Sequence, residues 1–136
     1  MRYLVIAVLA FVPTLSTVAQ DFDKGLAAFK RGDYSTALQE WRPLAARGHA
    51  AAQYRIGLMH AYGIQVEKDF KKARHWYEKA ARQGVAPAAY ELGVFYELGR
   101  GVWQDERQAA YWFHQGALGG HGPSQKKFSL YKNFLR

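Results

Sequence analysis

Apolar residues along this chain recur at steps of three and four, and the runs they make stop at regularly placed glycine and aspartate residues. From Asp21 to Arg31 the spacing predicts a helix that ends at Gly32-Asp33, a terminator followed by an N-cap. A second helix is predicted from about Tyr34 to Arg47, with Ala37, Trp41, Leu44 and Ala45 on one stripe. Pro43 interrupts it; the ring crowds the carbonyl of Gln39, so a kink or early loosening is expected there.

The pattern then repeats. Residues 49–84 superimpose on 85–120 without a gap, bringing together Tyr54 and Tyr90, Gly57 and Gly93, Gly63 and Gly99, Asp69 and Asp105, and Trp76 and Trp112. Of these 36 positions, 11 are identical. Unrelated sequence would give about two, so the period is that of a solenoid. Residues 121–136 restart the unit, with Pro123 matching Pro87 and Phe128 matching Leu92, and predict a capping helix. Lys126, Lys127 and Lys132 give that helix the polar outer face a solenoid end needs.

In the first unit, Gly25, Ala28, Gly32-Asp33-Tyr34, Ala37, Trp41 and Leu44 resemble a tetratricopeptide repeat. The next two units lengthen the turn between the helices by four residues, with Gly57 twelve before Asp69 where Gly25 is eight before Asp33. Their Leu-Gly, Gly-x-Gly-Val, Asp, Ala, tryptophan and closing Ala-before-Gly pattern is similar to the Sel-one-like repeat, a relative of the tetratricopeptide repeat. The resemblance spans residues 21–120 and implies an all-α, right-handed α-solenoid of three helix hairpins with a C-terminal cap. The hairpins fall at about 21–48, 49–84 and 85–120. Gly99 and Gly101 supply turn conformations closed to other residues, Val102 tucks the loop back, and Asp105 with Gln108 forms a capping box. The second unit departs from this at Ile64-Gln65, where a different or more strained path is expected, and at His60, which stands in the place of Tyr96.

Two faces of the first helices are distinguishable. Gln53, Ile56, Gly57 and His60, with Ala89, Leu92, Gly93 and Tyr96 in the next unit, are assigned to packing against the partner helix. The other face carries Tyr54, Leu58, Ala61 and Tyr62, then Tyr90, Val94, Glu97 and Leu98, extended by Phe22, Leu26, Phe29, Leu130 and Phe134. In tetratricopeptide-like solenoids the first helices line the concave surface, so the resemblance makes Tyr54, Leu58, Tyr62, Tyr90, Val94, Glu97 and Leu98 a groove for a protein or peptide partner. Tyrosine suits such a groove, having large apolar area and a polar tip. The competing use of each residue is packing between neighbouring repeats. Trp103 replaces Glu67 on a loop and either offers an interaction contact or folds back over Val102.

Composition narrows the function. The first residues read as a secretory leader: Arg2, an apolar run from Tyr3 to Leu15, and small residues at Thr17-Val18-Ala19, cleaved after Ala19 to leave a single domain over 20–136. The rival is a permanent anchor, but the run falls short of the roughly 20 apolar residues a span requires. This places the mature protein in the periplasm or outside the cell, without stable membrane insertion. The formal net charge of +8 favours an acidic partner or an anionic envelope surface, against the plainer reading of a solvated basic surface. Export and the lack of an aromatic-basic RNA motif argue against nucleic acid. With no cysteine, disulfides, thiolate metal sites and a thiol nucleophile are excluded. The five histidines show no ligand spacing, no serine lies in a nucleophile elbow and there is no phosphate loop, so no metal, cofactor or catalytic residue is expected.

The leading expectation is a non-enzymatic interaction module of the bacterial envelope. Two alternatives follow from the resemblance: an immunity protein that neutralises a periplasm-delivered effector, and a β-lactam-binding or hydrolysing enzyme of the kind linked to cysteine-rich relatives. The second is disfavoured because those cysteines are missing.

Overall fold

The computed structural model describes residues 15–135. Seven helices follow one another: α1 (Leu15–Lys30), α2 (Tyr34–Ala46), α3 (Ala50–Tyr62), α4 (Phe70–Arg82), α5 (Ala86–Leu98), α6 (Glu106–Leu118) and α7 (Gly122–Tyr131), with a 3₁₀ turn at Lys132–Leu135. Each packs on its neighbours in the chain, which is the one-dimensional contact pattern of an α-solenoid built from helix hairpins. Most of the expected leader lies outside the described residues, and the expected cleavage point at Thr17-Val18-Ala19 falls inside α1.

The second helix of every hairpin starts at an aspartate. Asp33 accepts from the Thr36 N–H at 3.1 Å, Asp69 from Lys72 at 3.0 Å, and Asp105 from Arg107 and Gln108 at 2.9 and 3.1 Å. Each cap contributes about 1 kcal/mol. The capping box expected at Asp105 is only half made, because the Asp105 N–H is already donated across the hairpin to the Tyr96 carbonyl at 3.0 Å. Asp69 donates in the same way to His60, at 2.9 Å.

Within each hairpin a glycine on the first helix lets a ring from the second lie directly on its backbone. Gly25 receives Trp41, Gly57 receives Tyr77 and Gly93 receives Phe113; a Cβ on Gly57 or Gly93 would sit 2.6 or 2.5 Å from the ring. Those three rings are fully buried. Trp41, Leu44, Ala52, Ile56 and Met59 share one core cluster, and Tyr77, Ala80, Ala88, Leu92 and Phe95 share the next, so each core joins one hairpin to its successor. The joints are built alike: the N–H groups of His49, Val85 and His121 donate back to the carbonyls of Leu44, Ala80 and Gly116 at 3.0, 3.1 and 3.0 Å.

Two sequence expectations are refined in detail. α2 does not loosen early but continues through Pro43 to Ala46, and Pro43 lies on the exposed side where water can serve the Gln39 carbonyl. Of the two paths expected at Ile64-Gln65 the strained one is taken, for Gln65 holds φ +59, the left-handed conformation that Gly101 takes at φ +64. The loop path is kept, and the strain falls on a residue with a side chain.

Candidate functional site

Helices α3 and α5 are packed on three sides, and what remains is the open face. Ala52, Ile56 and Met59 on α3, like Ala88, Leu92 and Phe95 on α5, are buried against the preceding hairpin. Gln53, Gly57 and His60, like Ala89, Gly93 and Tyr96, turn to the partner helix, and at Gly57 and Gly93 the ring contacts fix that direction. Tyr54 and Ala61 pack into the cluster shared with the next hairpin, and Leu58 packs against it at the edge of the open arc. At a helical step of 100° per residue the rest of that arc carries Arg55 and Tyr62 on α3 and Glu91, Val94 and Leu98 on α5. On α7 the same arc carries Lys127 and Leu130.

The sequence-predicted residues therefore divide. Tyr62 and Leu98, equivalent positions at the ends of α3 and α5, are 65% and 55% exposed. Leu58 and Val94 are half-buried beneath them. Tyr54 is also half-buried, with its ring 5.8 Å from Tyr77; Tyr90 lies 5.8 Å from Phe113 and 5.2 Å from His121. Glu97 is engaged by the cap: both carboxylate oxygens accept from Lys127 Nζ at 2.8 Å, and one accepts from the Tyr131 hydroxyl at 2.6 Å. Burial alone would raise the Glu97 carboxyl, but those donors outweigh it and hold it below the ordinary carboxylate range. The same bond pushes the Tyr131 hydroxyl up to about 12. Phe134 leaves the row, since the chain tightens into the 3₁₀ turn and carries it to Asp105, Glu106 and Arg107 at the start of α6. Trp103 is 92% exposed, so it does not fold back over Val102.

Several residues on and around this face escaped the sequence reading. His49 and His121 cap α3 and α7, their Nδ1 atoms accepting from the Ala52 and Ser124 N–H groups at 3.1 and 3.3 Å. Nothing in the spacing marks them, because histidine is not among the preferred capping residues. Lys127, expected on the polar outer surface, is instead tied to Glu97. Glu91 is half-buried and has no hydrogen-bond or ion-pair partner among the described residues. Burial raises its carboxyl, opposed by the charge of Arg100. Burial and then Glu91 raise the hydroxyls of Tyr54 and Tyr77. Glu91 holds the repeat position of Arg55 and Lys127, which lie over the Trp41 and Phe113 rings at 5.8 and 5.7 Å, and that position sets it beside the matching ring, Tyr77. Among the described residues no group of three or more acidic or histidine side chains could hold a metal ion, and no helix is long and apolar enough to cross a membrane.

The profile of the Sel1 repeat matches residues 50–85 and 86–121, one residue out of register with the frame drawn from self-similarity. The chain belongs to the Sel1 repeat family. Sel1 repeats are in general non-enzymatic scaffolds for protein–protein interaction. A Sel1 repeat protein from Oxalobacter formigenes, known from its crystal structure, is 32% identical with a TM-score of 0.75, covering 82% of this chain and 87% of that one. The protective antigen c5321 of uropathogenic Escherichia coli, which displays the same repeat fold, is 28% identical with a TM-score of 0.79. That alignment covers 88% of this chain and 26% of the antigen, so the chain spans about a quarter of the longer protein. No curated protein matches the sequence.

Proposed function

We propose that this Sel1 repeat chain is an exported adaptor, periplasmic or secreted, that holds one partner segment along the open, concave face of its first helices. The observation that carries the reading is the paired exposure of Tyr62 and Leu98 at equivalent repeat positions, above half-buried Leu58 and Val94. Apolar side chains left exposed at a repeating position, beside residues that pack beneath the arc, form a strip suited to an extended or helical segment. Tyr54 and Tyr90 border that strip, and Trp103 offers a separate contact beyond its end. Export rests on the leader pattern ahead of Gln20.

The test is capture from envelope extracts by crosslinking with the wild-type protein and the Tyr62→Ala/Leu98→Ala double variant. Both positions are exposed, so far-ultraviolet circular dichroism should be unchanged while specific capture falls at least tenfold, the loss expected of two central apolar contacts. Capture retained by the folded variant would remove the open face as the binding site.

A further inference from the structure

Glu91 differs from its counterparts in the other repeats, Arg55 and Lys127, which lie over the Trp41 and Phe113 rings at 5.8 and 5.7 Å. A half-buried carboxylate with no partner is costly unless something supplies charge or hydrogen bonds to it. The two basic residues at the equivalent positions do not serve it. Arg55 lies over the Trp41 ring at 5.8 Å, and Lys127 is bound to Glu97. Arg100, the cation acting on Glu91, sits over the Phe70 ring at 5.5 Å and makes no ion pair with it.

A second observation points to the same place. The ring that lies on the hairpin glycine ends in a polar atom in two hairpins. In the first, Trp41 Nε1 donates to the Phe22 carbonyl at 3.2 Å. In the second, the Tyr77 side chain is fully buried and its hydroxyl has no hydrogen-bond partner among the described residues. In the third, Phe113 has no polar atom to satisfy. The unsatisfied hydroxyl is thus confined to the hairpin whose buried ring is matched with Glu91, and the Tyr54 ring lies 5.8 Å from Tyr77.

We propose that Glu91, set by its repeat position beside Tyr77 and its unsatisfied hydroxyl, with Tyr54 and Tyr62 on the neighbouring stripe of α3, is an anchor for a lysine or arginine side chain of the bound segment. The carboxylate supplies the counter-charge, the aromatic faces supply cation–π attraction, and the long aliphatic stem fills the gap above Leu58 and Val94. The inference rests on the open-face reading of the function and adds a chemical requirement to it. It also sets a local preference against the global charge: the chain is basic overall, yet its groove would select a cation at this one point.

The experiment uses the full chain and a library of twelve-residue peptides with one fixed central residue (Lys, Arg, Met, Gln or Glu) in mixed flanks. Wild-type protein should retain the Lys and Arg sublibraries about tenfold more than the Gln and Glu sublibraries. Glu91→Gln should erase that preference, Glu91→Asp should keep part of it, and retention of the Met sublibrary should not move in either. Retention without a cationic preference, a preference for Glu, or a cationic preference that survives Glu91→Gln would each overturn the anchor while leaving the open face in place. A wild-type protein that retains no sublibrary would overturn the open-face reading and the anchor with it. Should Glu91→Gln fail to fold, Tyr62→Ala, at an exposed position, should lower the Lys and Arg retention relative to Met, and an unchanged ratio would count against the proposal.

Discussion

At Gln65 the chain places a side chain where its own next repeat uses glycine, and both residues hold the left-handed conformation. Glycine enters that region freely, whereas other residues lose about 1–2 kcal/mol there. Gln65→Gly should therefore raise stability by about 1 kcal/mol, or roughly 4 °C in a thermal melt followed by circular dichroism. Gly101→Ala should lower it by about 1–3 kcal/mol, because the new Cβ would meet the Phe70 carbonyl carbon at 2.8 Å as well as the disfavoured φ. His60 makes a different residue-level statement. Its Nδ1 is buried without a hydrogen-bond partner among the described residues, and burial holds the ring's pKa below the ordinary 6.5, opposed by a hydrogen bond to the Glu67 backbone. The unfolded chain takes up its proton first, so this contribution is intact above pH 6.5 and is lost as pH falls from there through the folded value. His60→Tyr, the residue of the following repeat, should flatten the dependence of Tm on pH between about 7.5 and 5.5. Asp33, Asp69 and Glu97 are held below the ordinary carboxylate range and so act only at lower pH.

Among the helices, what the sequence made legible was whatever repeats with a distinctive residue. The aspartate caps, the glycine–ring pairs and the 36-residue period could be read because each needs a particular residue at a particular place. The faces of α3 and α5 were harder. These helices are apolar on nearly every side, since three sides pack and the fourth carries Leu58, Tyr62, Val94 and Leu98. Periodicity finds a helix in such a segment without telling which side is left open. Tyr54 and Tyr62 look alike in the pattern, yet one is wedged against the next hairpin and the other stands in solvent. Glu91 was illegible for a related reason: a lone glutamate on a helix reads as a solvated charge, and only the packing of Tyr77 and Tyr54 shows that it is half-buried.

For the whole molecule, the stability of a solenoid is close to a sum of hairpin terms and interface terms, with weak ends unless they are tied down. Here the C-terminal end is tied by Glu97 to Lys127 and Tyr131, three hydrogen bonds that hold α7 to α5 across 30 or more residues of chain. Glu97→Gln keeps the shape and removes the charge. Amide hydrogen exchange in α7 should then quicken by about five- to tenfold, while α3 exchanges as before. Equal acceleration along the whole chain would show that the hairpins unfold as one unit.

The three joints at His49, Val85 and His121 share one hydrogen-bond geometry, and this makes them equivalent cut points in the gene. Recombination between misaligned copies at two neighbouring joints removes or adds one complete hairpin, and at the outer pair two, and leaves every remaining joint properly closed. The reach of the open face can thus change by inheritance in whole steps, as a matter of copy number, without a new interface having to evolve.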